Sequence, residues 1–577
     1  MNQETALAVA RFLQTVGSLS LFGTLSFRAL VATADSKRLV WASLALALIG
    51  GGAWTLAAAS GFGVGVPVLI ADTYFGHWLL VRLGLLTMAA IIAGTSPARS
   101  RLALGLAALG VGAAVFSSHA MAEADTVGLV VLALHLLAAG LWLGGLLPLL
   151  LVARADMHPA RRFGPWAAVA VLVLLFTAIR QGLVQIADLP GLLGTVYGQA
   201  ASAKLLLLAA LLGLAALNRW GFVPARRPDL LRVGIAGEIL LGLGVLAAAT
   251  VMGSSAPAVH TAPVWPFHWA PSLIAMAEPE LRAEVFDALL ALLGAAALLL
   301  LGLLVRRVRW PALLAALVIA GFAIPHFDLL LVPAVPTSFQ RSPTGFAATG
   351  IARAAALYPS QCAACHGAHG EGDGPDAAHM NLPPADLTAP HLWDHADGDL
   401  FWMIAHGSRT ADGRIGMPGL GGQLGDDDIW AMIDYIRARN AGLAANADGN
   451  FDHPVTAPEL SIACSDGTAP DLLALRAAHG ALLLLREPPR ALPVPAIFLD
   501  PGPPIAGACV APDPIAWAGY GVLATNTRDL PQGAWFVIDA NGWLRRHGQG
   551  DEAGAAALHA AQRDPLPLTE VQPMHHH

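Results

Sequence analysis

The stretch that decides the fold is TVGLVVLALHLLAAGLWLGGLLPLLLV at positions 126–152, which contains no Asp, Glu, Lys or Arg. About 20 apolar residues are enough for a helix to cross the hydrocarbon core of a bilayer, so this run predicts a transmembrane helix. The whole chain has 577 residues, of which 56% are hydrophobic and only 13% are charged. Soluble proteins carry about 25% charged residues. The composition therefore excludes an ordinary soluble enzyme, a disordered protein and a coiled coil.

Similar apolar runs recur through the first 340 residues and predict a polytopic α-helical bundle of about ten transmembrane helices. Two soluble segments are expected to follow, at 341–445 and 446–577, which makes the chain a multi-domain protein. The predicted helices lie at 5–31, 39–62, 77–95, 102–122, 126–152, 164–187, 198–218, 230–253, 285–305 and 311–334.

The charges of the connecting loops predict the orientation. Loops after odd-numbered helices are basic, as at Arg99 and Arg101, and loops after even-numbered helices are acidic, with Arg282 the main exception. Because basic loops stay in the cytoplasm, both termini and the soluble segments are expected outside. No cleavage site follows the first helix, so we expect it to be retained. Residues 341–577 carry a net charge of −13, which argues against nucleic-acid binding.

The sequence Cys362-Ala-Ala-Cys365-His366 has the spacing of a c-type haem attachment site. Two thiols one helical turn apart can form thioethers to the haem vinyl groups, and the adjacent imidazole can bind the iron. The alternatives are a chance match or half of a zinc site. A zinc site would need a second Cys/His pair at similar spacing, and the sequence has none.

The second axial ligand is expected downstream, and Met417 is the best candidate. It lies in Gly416-Met417-Pro418-Gly419, a predicted loop, and a thioether opposite histidine raises the haem potential. Met403 lies in an apolar run and is expected in the core, whereas the competing histidines are expected at the surface. The competing residues are Met380, Met403, His379, His391, His395 and His406.

Residues 355–440 resemble a small class I cytochrome c. Besides the haem motif, the matching parts are Pro383–Thr388, Gly398–Trp402, His406-Gly407 and Met417-Pro418 leading into Trp430–Arg437. The resemblance implies an all-α domain with one covalent haem c on the outer side of a bacterial inner membrane. It also implies one-electron exchange with a periplasmic partner protein. The loop charges place this segment outside independently.

The histidines of the membrane half are concentrated toward the predicted outer side. His77, His119 and His135 fall in or at the outer ends of predicted helices, and His260 follows in an outer loop. Imidazole and methionine thioether are copper ligands, and an ionisable group inside a bilayer is costly. Copper binding is one interpretation. The alternative is that each histidine caps a helix end at the interface.

Residues 40–255 resemble the copper resistance D (CopD-like) family. The matching pieces include Ser118-His119-Ala120, Leu134–Leu137, Leu141–Gly145, Ala216–Arg219 and Glu238. The resemblance implies copper handling at the inner membrane, with a periplasmic copper carrier as a further partner. It implies that His119 and His135 are metal ligands, with His77 and His260 as further candidates.

Four cations in the outer third of the predicted helices do not suit a Cu⁺ site: Arg11, Arg82, Arg180 and Lys204. They could extend toward lipid phosphates. They could instead bind an anionic ligand, such as haem propionates or a ligand in a quinone pocket. This keeps a second hypothesis open, a membrane electron-transfer module that uses quinol or b-type haem and no copper.

The C-terminal segment weakly resembles a thioredoxin-like α/β fold. Short apolar runs at 481–485, 496–499 and 534–538 predict strands, and Asn440–Asn450 is predicted to be a linker. Cys464 and Cys509 lack the C-x-x-C spacing of dithiol exchange, although they could form one structural disulfide. His575–His577 is not expected to bind metal.

Overall fold

Among the residues that the computed structural model describes, ten helices are long and apolar enough to cross a membrane. The model describes residues 3–32, 36–95, 99–117, 126–153, 158–273, 276–445, 448–468, 471–486, 496–500 and 508–563. Each helix coincides with one predicted span, so the polytopic membrane fold is confirmed. The spans, numbered 1 to 10, are Thr5–Leu30, Lys37–Phe62, Tyr74–Thr95, Ser100–Ser117, Thr126–Val152, His158–Gln185, Val196–Phe222, Pro228–His260, Pro279–Leu304 and Arg306–Leu330.

Spans 1 to 8 belong to a compact unit that covers Met1–Val264. Two short helices, Val66–Asp72 and Leu189–Gly194, precede spans 3 and 7 and were missed by the sequence analysis. Each has proline near its start, and the Asp188 side chain caps the second by accepting a hydrogen bond from Gly191 N at 2.6 Å. Helices of six or seven residues are too short to give a clear periodic signal.

Small residues allow the helices of this unit to approach closely. A Cβ atom added at Gly23 in span 1 would lie 2.2 Å from the carbonyl carbon of Gly144 in span 5. Span 5 has a π-helical segment at Gly140–Gly144, which includes the buried Trp142. Because lipid gives no hydrophobic drive between helices, this backbone contact and the surrounding van der Waals packing hold the spans together.

Trp265–His577 forms the second compact unit, which contains spans 9 and 10 and the soluble segments. The segments that flank these two spans pair as a short antiparallel ladder, β1 (Trp269–Pro271) with β2 (Leu331–Pro333). Span 10 is α-helical only over Arg309–Ala323 and continues as a 3₁₀ helix over Ile324–Leu330. The predicted range of this span, 311–334, therefore extends beyond the helix and includes the strand β2.

The haem segment is mainly helical, in agreement with the predicted cytochrome c fold. The exception is a two-stranded antiparallel sheet of β3 (Gly407–Arg409) and β4 (Ile415–Pro418). Met417 therefore lies on a strand and not in the predicted loop. The helices are Ala348–Gln361, Ala363–His366, Asp397–His406 and Asp426–Ala445, with 3₁₀ turns at Ala377–His379 and Pro390–Asp394.

The C-terminal segment forms a mixed seven-stranded sheet in the order β5-β11-β10-β7-β8-β9-β6. The three predicted strands are present, and Ala534–Ile538 pairs antiparallel with the next strand. Cys464 and Cys509 face each other on β6 and β9 and form a disulfide. The strands are β5 Asn450–Thr456, β6 Ala463–Cys464, β7 Leu482–Leu485, β8 Ala496–Phe498, β9 Cys509–Val510, β10 Ala534–Ile538 and β11 Trp543–Gln549, and the helices are Leu472–His479, Pro514–Thr525 and Asp551–Arg563.

The predicted linker at Asn440–Asn450 is wrong. The helix Asp426–Ala445 continues through its first half, and Asn440, Ala441 and Ala445 are buried. Ala441 belongs to a hydrophobic core that also contains Ile351 from the haem segment and Tyr520 from the sheet segment. Ala441, Gly442 and the other small residues of this stretch suggested a flexible connection, but a Cβ added at Gly442 would lie 2.6 Å from Leu523 O, so the helix packs closely there. The two soluble segments therefore share one core.

The chain that leaves span 10 is fixed to the haem segment at Gly398. Thr337 Oγ1 donates a hydrogen bond to Gly398 O at 2.6 Å, and Ser338 Oγ donates to Asp399 Oδ1 at 2.5 Å. A Cβ added at Gly398 would lie 1.7 Å from Thr337 O.

We expect Gly398→Ala to lower the free energy of unfolding by about 1–3 kcal/mol, the usual range for overpacking. The thermal unfolding midpoint of the purified protein measures it. Gly422→Ala is the control, because nothing lies within 4 Å of an added Cβ there. An equal effect of both substitutions would contradict the close contact.

Asp434 gives the soluble part a pH-dependent stability. The carboxyl is 4% exposed. Burial, together with the nearby Asp397, raises its pKa to about 7, although hydrogen bonds from Thr344 and Ser342 and the charge of Arg437 act in the opposite direction. The unfolded state loses this proton near pH 4, so the folded state binds more protons between about pH 4 and 7.

The contribution of Asp434 to the free energy of unfolding is therefore expected to decrease by up to about 4 kcal/mol as the pH rises from about 4 to about 7. When the free energy of unfolding is measured at pH 5 and at pH 8, Asp434→Asn should lack the part of the decrease that is due to this carboxyl. Asp412→Asn, at an exposed carboxylate, is the control. An unchanged pH profile in Asp434→Asn would contradict the assignment.

Candidate functional site

The haem motif lies at the end of the helix Ala348–Gln361. Cys362 caps that helix, and its carbonyl accepts hydrogen bonds from Cys365 N at 3.2 Å and His366 N at 2.9 Å, which closes a single turn. Both thiols are free and partly buried. Burial, together with the neighbouring Cys365, raises the pKa of the Cys362 thiol to about 11. The two sulfur atoms are thus presented one helical turn apart.

The imidazole of His366 is oriented by the proline-rich loop downstream. Its Nδ1 lies 2.9 Å from Ala385 O, and a carbonyl can only accept a hydrogen bond. Nδ1 therefore carries the proton, and Nε2 remains as the basic nitrogen that can bind iron. This use of one ring nitrogen to set the other is common for histidines that bind metals.

Met417 is fixed on β4, opposite Ser408 of β3, and its amide donates a hydrogen bond to Ser408 Oγ at 3.0 Å. Its side chain and that of Leu357 both pack against a hydrophobic cluster that includes Trp430. Leu357 also packs against the core that Cys362 contacts. The helix Ala348–Gln361 thus packs against the surroundings of both Met417 and the haem motif.

The competing ligands have other surroundings. His406 stacks on Trp402 with ring centroids 3.7 Å apart, and His391 contacts His395 at 5.7 Å. Met403 is 41% exposed, so its predicted core position is wrong. It occupies the outward side of the helix Asp397–His406, where an apolar run of five residues cannot be buried on every face.

Several apolar side chains near Met417 are left uncovered. Leu382 is 40% exposed and Ile415 is 54% exposed, and Leu382 approaches the backbone of Gly416. An apolar group bound next to Met417 would cover them. The free thiols, the oriented imidazole, the thioether and this apolar surface fit haem c.

Asn440 is a supporting residue that the sequence analysis missed. Its Nδ2 donates hydrogen bonds to Leu387 O and Ala389 O, both at 3.1 Å, and its Oδ1 accepts one from Trp393 Nε1 at 2.9 Å. These contacts hold the end of the loop whose Ala385 carbonyl orients His366. The only sequence signal was the asparagine itself, and the sequence analysis interpreted Asn440 as the first residue of a linker.

Among the described histidines of the bundle, His135 is the one that lines the cavity. Its Nδ1 is 2.8 Å from Thr177 Oγ1, and the single proton of that hydroxyl is donated to Val173 O at 2.7 Å. Thr177 therefore accepts from His135, so Nδ1 carries the proton and Nε2 is the nitrogen available as a ligand. The imidazole is oriented by a neighbouring span.

Two of the other predicted copper ligands, His77 and His260, do not line the cavity with His135. His77 is exposed, and its Nε2 bonds to Ala71 O at 2.7 Å, which matches the helix-capping alternative. His260 is exposed at the end of a 3₁₀ turn. His119 lies outside the described residues. Within the described ranges, no group of three or more His, Cys, Asp or Glu side chains forms a metal-binding cluster.

The cavity around His135 has a volume of about 860 Å³ and is lined by residues of spans 1 to 8. Met252, Gln181, Gln185 and Tyr197 contribute polar or thioether groups to its wall. The phenol of Tyr197 donates a hydrogen bond to Gln185 Oε1. The two glutamines were not identified from the sequence, because single uncharged polar residues in a helix carry no distinctive pattern.

Three of the four predicted intramembrane cations, Arg11, Arg82 and Lys204, line this cavity. Arg180 lies outside its lining. Glu238 also lies outside it, and its carboxylate accepts a hydrogen bond from Asn218 Nδ2 at 2.5 Å. The cations and His135 thus share one cavity.

Comparison with known proteins divides the chain into two parts. Residues 157–252 match the family model of Copper resistance protein D, and residues 349–436 match that of Cytochrome C oxidase, cbb3-type, subunit III. The chain joins a CopD-like membrane segment to a cytochrome c segment. The first match covers spans 6 to 8, which is narrower than the predicted resemblance at 40–255. The second agrees closely with the predicted 355–440.

Two curated relatives each match about a quarter of this chain. The Copper transport protein CutJ of Bacillus subtilis is 34% identical over 152 residues, which are 25% of this chain and 28% of that protein. The Cbb3-type cytochrome c oxidase subunit CcoP of Azospirillum sp. is 33% identical over 138 residues, which are 22% of this chain and 43% of that protein. The chain spans less than half the length of each. No solved structure matches the chain.

Proposed function

We propose that the chain is an inner-membrane protein that binds or moves copper through its helical bundle and exchanges single electrons through a periplasmic haem c. Haem c, when bound, supplies a one-electron Fe(III)/Fe(II) couple. Cys362 and Cys365 would hold it covalently, and His366 and Met417 would bind its iron. The haem would accept or donate electrons to a periplasmic partner and could set the copper oxidation state.

One observation carries the copper part of the proposal: the imidazole of His135, which Thr177 orients through Nδ1, lines a cavity that Met252 also lines. Imidazole and thioether are the side chains that suit Cu(I). The similarity to the copper resistance family and to a copper transport protein supports the same assignment. The loop charges indicate that the N-terminus lies outside. Ten spans, an even number, return the chain to that same side, which supports an outward-facing haem segment.

The test is the copper content of the purified full-length protein after loading with Cu(I) under anaerobic conditions. We expect His135→Ala to remove copper bound in the bundle. Thr177→Val leaves the imidazole in place but removes its hydrogen bond, and we expect it to weaken copper binding about 10–100-fold.

His77→Ala is the matched control, because His77 bonds to the Ala71 carbonyl and does not line the cavity. It should retain the copper of the unmodified protein. Unchanged copper in His135→Ala would defeat the copper assignment.

The three cations of the cavity favour a second candidate, an electron-transfer module that uses quinol or b-type haem without copper. A reduced-minus-oxidised spectrum separates the two. Copper together with a c-type α band alone supports the first proposal. An additional b-type band in copper-free protein supports the second.

A further inference from the structure

The bundle cavity carries a positive charge that no carboxylate in its described lining balances. Arg11, Arg82 and Lys204 line it, and the described lining residues include no Asp or Glu. The guanidinium groups of Arg11 and Arg82 are close enough to repel each other. A buried charge is costly unless it is paired. The cavity therefore lacks a negative group.

Arg82 shows this requirement most directly. The residue is 6% exposed, and its Nε has no hydrogen-bond partner among the described residues. Lipid-facing arginines usually extend to the interface, but this one is enclosed within the helices. Its planar guanidinium matches the geometry of a carboxylate or phosphate, which can accept two parallel N–H bonds.

Arg11 is positioned at the same cavity without being neutralised. Its Nη1 donates hydrogen bonds to Gly253 O at 2.5 Å and Ser254 Oγ at 3.3 Å, and its guanidinium lies 5.1 Å from the ring centroid of Trp54. These contacts satisfy donors and fix the group, but both oxygens are uncharged. The full positive charge of Arg11 remains available.

The rest of the wall is apolar. Trp54, Phe75 and Trp142 line the cavity together with leucines of several spans. The volume of about 860 Å³ lies within the range of sites that enclose small ligands. A small inorganic anion alone would leave most of this surface without contacts.

We propose that the cavity binds an amphiphile that carries an oxyanion head. Arg82 and Arg11 bind the head with Lys204, and the apolar body lies along the aromatic wall. The shared chemistry is a phosphate or carboxylate group, which an anionic membrane lipid or a soluble organic acid or phosphate can supply.

Native mass spectrometry of copper-free, full-length protein tests this inference with two lipids of equal chain length. We expect phosphatidylglycerol to be retained at least tenfold more than phosphatidylcholine. Thermal stabilisation by inorganic phosphate and by a medium-chain fatty acid, without phosphatidylglycerol preference, would identify a soluble source of the same oxyanion.

Arg82→Gln should reduce retention of the bound anion about tenfold, and Arg82→Lys should reduce it less. Lys204→Gln provides a second variant if Arg82→Gln fails to fold. Arg180→Gln is the control, because Arg180 does not line the cavity. The inference is overturned if the two lipids are retained equally and neither soluble anion stabilises the protein, or if folded Arg82→Gln and Lys204→Gln bind like the unmodified chain. Because copper is absent, this failure is separate from failure of the copper proposal.

Discussion

Replacing Cys362 and Cys365 with Ala is expected to leave the purified protein without covalently attached haem. The two thiols lie on one helical turn and are free of any disulfide, so each is available to form a thioether. Without them, His366 and Met417 could hold haem only by coordination. Haem staining after denaturing electrophoresis measures the difference, because coordinated haem dissociates when the protein unfolds.

The second pair of cysteines provides the matched control. Cys464 and Cys509 form a disulfide between β6 and β9. Replacing both with Ala should leave the haem stain of the folded protein unchanged. Covalent haem in the Cys362→Ala, Cys365→Ala protein, or its loss only in the control, would show that the attachment site has been assigned wrongly.

Met417→Leu is expected to lower the midpoint potential of the haem by on the order of 0.1 V or more, since axial ligands move haem potentials over about 0.8 V. Leucine keeps the apolar volume that packs against the cluster around Trp430 but has no sulfur atom to bind iron. The fold should therefore survive while the electronic effect of the thioether disappears. A potentiometric titration monitored at the c-type α band measures this change.

Met403→Leu is the control for this titration. Its side chain is 41% exposed on the helix Asp397–His406, and we do not expect it to bind the iron. Its midpoint potential should match that of the unmodified protein. If the midpoint potential shifted more in Met403→Leu than in Met417→Leu, Met403 and not Met417 would be the iron ligand.

Features with long or exact sequence patterns were predictable. Ten apolar runs predicted ten spans, because a bilayer requires both length and the absence of charge. The C-x-x-C-H motif identified the haem segment before any comparison. The strands β7 and β10 were visible as short apolar runs between Pro and Gly residues, and both are completely buried.

Features that depend on long-range contacts were not predictable. Asn440 holds a loop some 50 residues earlier in the chain, and Thr177 orients His135 from another span. Neither has a local signature. The same helix end that contains Asn440 was interpreted as a linker, because small residues predict flexibility unless a partner surface covers them.

Among the histidines of the membrane half, the sequence anticipated the surroundings of some but not of others. His135 and three of the cations converge on a cavity, as their similar predicted depth suggested. His77 and His260 are exposed at other positions, because depth along a helix does not specify the face on which a side chain lies. The copper assignment therefore depends on His135 more than on the set.

The most direct test of the account is copper X-ray absorption spectroscopy on the intact protein loaded with Cu(I). The account predicts nitrogen scattering from imidazole in the unmodified protein, with sulfur if Met252 contributes, and loss of this signal in His135→Ala. Copper that is absent, bound only by oxygen, or unchanged by His135→Ala would contradict a copper site in the bundle.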